Sequence, residues 1–152
     1  LPKIGGAMTD WVVDTAVALK WIVSEHDSLL ARAFYVSNMR AGATLSILDL
    51  GLIEASNGLW KRFHRKLMTR YETISAYDTL LKMPLDVLES MMSDRRALEI
   101  ACNYDIAVYD AHFVAAVEAM GCDGITADEP LVAKVGKDFP SIKLLKDWQP
   151  SP

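Results

Sequence analysis

Apolar residues along this chain alternate between short runs and longer stretches with helical spacing. Trp11, Val12 and Val13 form a compact apolar run that stops at Asp14, the pattern of a buried strand. Thr15–Ile22 has room for a helical turn or two, and Ser24 with Asp27 resembles a capping box opening a helix over about 25–39. Gly42 ends that helix, and 43–48 read as a short connection. Leu52, Ile53, Leu59, Trp60 and Phe63 recur as the broad apolar face of a helix over about 49–65. Thr69 or Thr73 opens the next helix, which runs to Lys82 before Pro84, and 85–88 give another short strand. A helix from Ser90 or Ser93 reaches Asn103.

The segment 106–131, IAVYDAHFVAAVEAMGCDGITADEPL, organises the rest. Phe113, Val114, Val117 and Met120 form an inward helical stripe, Gly121 closes the helix, and a strand over 124–126 leads to Asp128. Glu129–Val135 is a short helix with Pro130 at a tolerated early position, and 142–145 form a last strand. Short apolar strands between amphipathic helices predict an α/β fold with a parallel sheet covered by helices. Residues 10–152 are expected to form a single domain. Residues 1–9 lack periodicity and are set aside as a tag remnant or disordered N-terminus, with Met8 a candidate start.

Composition narrows the function little. Half the residues are hydrophobic, and the formal net charge of −4 argues against a histone-like binder of nucleic acid. Acids gathered around cations would weaken that argument. Cys102 and Cys122 have neither CxxC spacing nor suitably placed histidines, so they are expected as buried reduced thiols in a cytoplasmic protein. No apolar run is long enough to span a membrane. Large apolar residues such as Trp21, Phe34, Tyr35, Trp60 and Phe63 are assigned to the core, and any left exposed would mark an interface.

Acids punctuate this pattern at comparable places. Asp14 ends the first strand, Asp110 opens a helix, and Asp128 follows a late strand, where open α/β sheets bind ligands. Glu54 projects from the same helix face as Asn57, among apolar neighbours. Crowded carboxylates must take up protons or a cation, and an all-oxygen donor set suits Mg²⁺ or Mn²⁺. Strand-end aspartates also serve as turn and cap residues, so spacing leaves both readings open. Lys61, Arg62, His64, Arg65, Lys66 and Arg70 form the densest basic cluster, suited to RNA phosphates or equally to a helix C-terminus. His112 lies two residues from Asp110, points elsewhere on the helix, and is a poor co-ligand.

Four blocks, VVDTAVALKW at 12–21, IEASNGLW at 53–60, YDAHFVAAVEAMG at 109–121 and TADEPLVAKV at 126–135, together resemble the PIN-domain ribonucleases, most closely the VapC-type toxins of toxin–antitoxin pairs. The resemblance implies an α/β/α sandwich around a short parallel sheet and a Mg²⁺- or Mn²⁺-dependent endoribonuclease. It further implies inhibition by a cognate VapB-like antitoxin, and a homodimer. Asp14, Glu54, Asp110 and Asp128 match the family's acidic quartet, with Asp14 and Asp110 the firmest metal ligands. Thr126, Asn57 and Thr15 are then supporting polar groups, and Lys61, Arg62, Arg65 and Lys66 candidate RNA contacts. One position departs: Ala16 stands where many relatives carry a serine. The alternatives are a PIN-like RNA- or protein-binding module without catalysis, and a PIN nuclease without an antitoxin.

Overall fold

The structure is a computed structural model that describes residues 9–152; the expectation for residues 1–8 lies outside the described residues. Five strands are present among these residues: β1 (Trp11–Val13), β2 (Leu45–Leu48), β3 (Asp86–Leu88), β4 (Asp123–Thr126) and β5 (Ile142–Leu144). The helices are α1 (Thr15–Ile22), α2 (Ser28–Arg40), α3 (Asp49–His64), α4 (Arg70–Lys82), α5 (Asp94–Tyr104), α6 (Val108–Met120) and α7 (Glu129–Val135). A 3-10 turn, Ser90–Ser93, precedes α5. All strand pairs are parallel, in the order β3-β2-β1-β4-β5.

Alternation along β1 divides the core between the two faces of the sheet. Val12 packs with α5, α6 and α7 through Ala97, Ile100, Val114 and Leu131. Trp11 and Val13 face the other way, with α1, α2 and α4 supplying Val17, Phe34 and Leu80. The result is the α/β sandwich that the alternating pattern predicts. The chain lays down β1, β2 and β3 in one direction, then returns to place β4 against the free side of β1. That reversal opens a crevice at the carboxyl ends of β1 and β4.

Several local expectations are corrected. Residues 45–48 are a fully buried strand rather than part of a connection, because LSIL lies between β1 and β3. α2 begins at Ser28, and Asp27, with φ 63°, caps nothing through its side chain. Instead, the Ser28 hydroxyl donates to the Val23 carbonyl and accepts from the Glu25 N–H, closing the turn that the Ser24 box was expected to form. On α3, Ile53, Trp60 and Phe63 are exposed, and the buried face is Gly51, Ala55 and Leu59. Small residues let α3 approach α1: a Cβ on Gly51 would lie 2.9 Å from Thr15 Oγ1. α6 is buried all round from Ala111 to Val117, while Met120 is exposed. Cys102 is exposed because α5 turns Ala97, Ile100 and Ala101 inward instead, and Cys122, in the turn before β4, is half-buried; both are free. Among the described residues, no helix is long and apolar enough to cross a membrane.

Candidate active site

The crevice at the strand reversal is where the acids meet. Asp14 follows β1 directly, its N–H donating to the Ile125 carbonyl at 3.0 Å. It is also the N-cap of α1, with Oδ1 accepting from the Thr15 N–H at 2.9 Å. Its other oxygen accepts from the Thr126 hydroxyl at 2.7 Å. That hydroxyl, wholly buried at the end of β4, itself accepts from the Asp128 N–H at 3.0 Å. With its acceptor side occupied by a fixed N–H, Thr126 directs its one proton at Asp14. Asp128 caps α7 by accepting from the Leu131 N–H at 3.0 Å.

Two helices bring the remaining acids. Asp110 lies in the first turn of α6, where the helix dipole favours a carboxylate. α6 sits hard against β4 because Gly124 has no side chain: a Cβ there would meet Val117 Cγ2 at 2.4 Å and Phe113 Cζ at 2.9 Å. Glu54 comes from the second turn of α3. Asp14, Glu54 and Asp110 border one cleft of about 10 Å³ with Gly51 and Phe113, room for a single water-sized occupant.

The charges of these groups are mutually coupled. Burial pushes the Asp14 carboxyl up to about 6; Asp110 and Asp128 push the same way, against the Thr126 hydrogen bond. Partial burial, then the charges of Asp14 and Asp110, push Glu54 up to about 7. Glu54 is nonetheless an exposed residue, and solvent softens that push. Asp110 is raised by burial and by Asp128. Each acid thus feels at least one of the others. Among the described residues, however, no group of three His, Cys, Asp or Glu side chains is set to hold a metal ion as it stands.

The supporting residues divide. Thr126 bridges two of the acids. Thr15 donates instead to the Gly51 carbonyl at 3.2 Å, tying α1 to α3, and Asn57 is exposed. Arg62 is ion-paired with Glu25, whereas Lys61, Arg65 and Lys66 are exposed. His112 is buried, its Nε2 2.9 Å from Asp94 Oδ1, and takes no part in the cleft. Sequence reasoning missed Tyr109, an exposed aromatic at the cleft's edge. Its signal was position: a polar-faced aromatic immediately before the helix-start acid.

Known proteins share this architecture. Ribonuclease VapC3 of Pyrobaculum aerophilum is 29% identical over 134 residues, covering 86% of this chain and 95% of that protein. The crystal structure of PAE2754 from the same organism superposes with a TM-score of 0.70 at 22% identity, covering 96% of this chain and 90% of the other. A toxin–antitoxin complex from Klebsiella pneumoniae contains a chain matching at TM-score 0.57 and 14% identity, over 90% of this chain and 98% of that one. At these identities the two structures speak for the fold. The PIN domain model matches residues 11–137, most of the sequence, and the chain belongs to the PIN-domain family.

Proposed function

We propose that this chain is a divalent-metal-dependent endoribonuclease of the VapC toxin type, held inactive by a cognate antitoxin. The observation that carries the reading is the convergence of Asp14, Glu54, Asp110 and Asp128, from separate elements, on the strand reversal, with the carboxyls of Asp14, Glu54 and Asp110 all raised. Carboxylates raised by burial first and by one another second lack a counter-charge, and the donor set is all oxygen, which fits Mg²⁺ or Mn²⁺. Mg²⁺ in particular keeps much of its water and needs only one or two carboxylates. Asp14 and Asp110 would hold it, with Glu54 and Asp128 completing the charge. Once bound, such an ion supplies acidity to water and neutralises charge developing on a phosphate.

The chain's own groups do the rest. Thr126 fixes the orientation of Asp14 and, through the Asp128 N–H, the start of α7. Glu54, with its carboxyl near 7, can hold or release a proton at neutral pH. Tyr109 offers a ring beside the cleft on which a base can stack. The name of the Pyrobaculum ribonuclease and the Klebsiella toxin–antitoxin complex support the ribonuclease and antitoxin parts of the reading. Exposed Trp60, Phe63, Tyr71 and Ile74 on α3 and α4 supply apolar surface for an antitoxin or for a homodimer. A cytoplasmic location follows from the same reading.

The test is cleavage of a mixed RNA substrate with Mg²⁺ or Mn²⁺, with and without chelator, beside an Asp14→Asn, Asp110→Asn double variant checked for folding. Chelator-sensitive cutting absent from the variant is the expected result. Intact RNA at enzyme excess, from protein free of co-purified inhibitor, would replace this reading with a binding module that does not cut.

A further inference from the structure

A cleft bordered by three acids, with Asp128 close enough to raise two of them, in a chain of net charge −4 repels the polyanion it is proposed to cut, so cations near the cleft must hold the strand. The structure sorts the basic cluster that follows Glu54. Lys61 and Arg65 stand seven and eleven residues beyond Glu54 on α3, so at about 100° per residue both lie within about 20° of its direction. At about 1.5 Å per residue they are roughly 10 and 16 Å along the axis from it. Arg65 is the C-cap of α3, with its N–H still donating to the Lys61 carbonyl at 3.0 Å, so the last turn keeps helical geometry.

Both side chains are exposed, and no hydrogen bond or ion pair is present for either among the described residues. Arg62, turned about 80° from Glu54's direction, is held by Glu25, and Lys66 lies past the helix in left-handed backbone at φ 61°. Residues 55–71 contain no Asp or Glu to neutralise this face. Favourable interaction with the helix dipole accounts for cations at a C-terminus, but does not require them to align with Glu54. The apolar groove between α3 and α4, lined by Trp60, Phe63, Ile74 and Tyr77, lies on the other flank of α3.

We propose that the exposed face of α3 from Glu54 through Lys61 to Arg65 is a track for the phosphate backbone of single-stranded RNA leading out of the acidic cleft. The assignment deepens the nuclease reading and rests on it for the identity of the substrate.

The experiment is fluorescence anisotropy of a labelled single-stranded oligoribonucleotide, in EDTA so that metal-dependent cutting is silent, across a salt series. A Lys61→Gln, Arg65→Gln variant is compared with wild type and with a Lys137→Gln, Lys143→Gln control, all verified as folded by circular dichroism. The track predicts about a ten-fold loss of affinity at low salt and a log–log salt slope smaller by roughly 1.4, from two lost contacts at about 0.7 each. The control is expected to match wild type. Unchanged affinity and slope, or a wild type that does not bind RNA, would overturn the track. So would a variant that keeps RNA binding but loses binding to a poly-glutamate peptide, which would give this face to a protein partner. A wild type that binds through these residues yet cuts nothing with Mg²⁺ or Mn²⁺ would sink the nuclease reading and leave the track standing.

Discussion

Two aspartates in this chain immediately follow a buried parallel strand and stand at or next to the start of a helix: Asp14 after β1 and Asp49 after β2. Their local sequences, VVDT and ILDL, are alike. Their surroundings are opposite. One Asp49 oxygen accepts from the Ser90 N–H at 3.0 Å, the Leu50 N–H at 2.7 Å and the Ser90 hydroxyl. Those donors, the Ser90 hydroxyl foremost, hold its carboxyl below the usual range. Asp14 also accepts two hydrogen bonds, but burial and two neighbouring acids win and push it up to about 6. Asp49 is a satisfied carboxylate in the first turn of α3 that ties the turn after β3 to that helix. Asp14 is left with unspent charge, the condition for recruiting a cation. A strand-end aspartate therefore keeps a raised carboxyl, as the proposed metal site requires, where burial and the sheet's reversal surround it with other acids.

The strongest way to break this contrast is to neutralise each aspartate in turn. Asp14→Asn is expected to lower RNA cleavage on the order of 10² to 10³-fold in kcat, as when a transition-state charge loses its partner. Asp49→Asn is expected to leave kcat within a few-fold and to act on stability, costing about 1 kcal/mol of hydrogen bonding. Equal losses of activity in the two variants, with both folded, would erase the distinction.

The supporting hydroxyls give the next largest effect. Thr126→Val removes the donor that favours ionised Asp14, so kcat should fall roughly 10- to 100-fold, as for groups that orient metal ligands. The acid limb of the pH–rate profile should move to higher pH, since that hydrogen bond lowers the Asp14 carboxyl's pKa. Ser90→Ala makes the matching change at Asp49 and should shift only the melting temperature, by about 2 to 4 °C per kcal/mol lost. An unmoved pH profile in Thr126→Val would mean that Thr126 has only a packing role.

The two aspartates should also give opposite pH dependences of stability. Asp14 and Glu54 have folded pKa values near 6 and 7, above their ordinary 3.8 and 4.5. The stability associated with their neutral forms is complete below pH ~4 and lost as pH rises through 6 to 7. Asp49, with a lowered value, adds stability above its ordinary pKa that disappears as pH falls through its folded one. In EDTA the melting temperature should therefore drop by roughly 5 °C between pH 4.5 and 7.5, and Asp14→Asn should flatten that drop. Adding Mg²⁺ at pH 7.5 should recover it. A metal-free protein whose stability rises steadily across this range would contradict the crowding of the acids.

The smallest effect concerns Glu54. In EDTA, its replacement by Gln should remove the part of the melting-temperature loss that falls near pH 7 and leave the part near 6, measurable as a shift of the thermal-stability profile.

The fold and the acids differ in how far the sequence reveals them. Periodicity, glycines and caps were enough for most elements, because Thr69 with Glu72, Gly121 and Pro130 act on their own neighbours. β2 escaped because four buried residues carry too short a pattern to separate a strand from a connection. Size and apolarity alone assign Trp60 and Phe63 to the core, yet both are exposed. In the structure, Gly51 and Ala55 set that face by letting two helices approach.

By itself, then, the sequence determined the alternation of strands and helices, the positions of three aspartates at their ends and of Glu54 on a helix, and the resemblance those positions carry. Apart from that resemblance, the local sequence does not distinguish Asp14 from Asp49, nor Lys61 and Arg65 from Arg62. Those differences depend on groups distant in the chain: Thr126 lies 112 residues from Asp14, Ser90 lies 41 from Asp49, and Glu25 lies 37 from Arg62. Only the packed sheet and its helices bring such groups within hydrogen-bonding or Coulombic range, and electrostatic interactions depend on distance through space rather than along the chain.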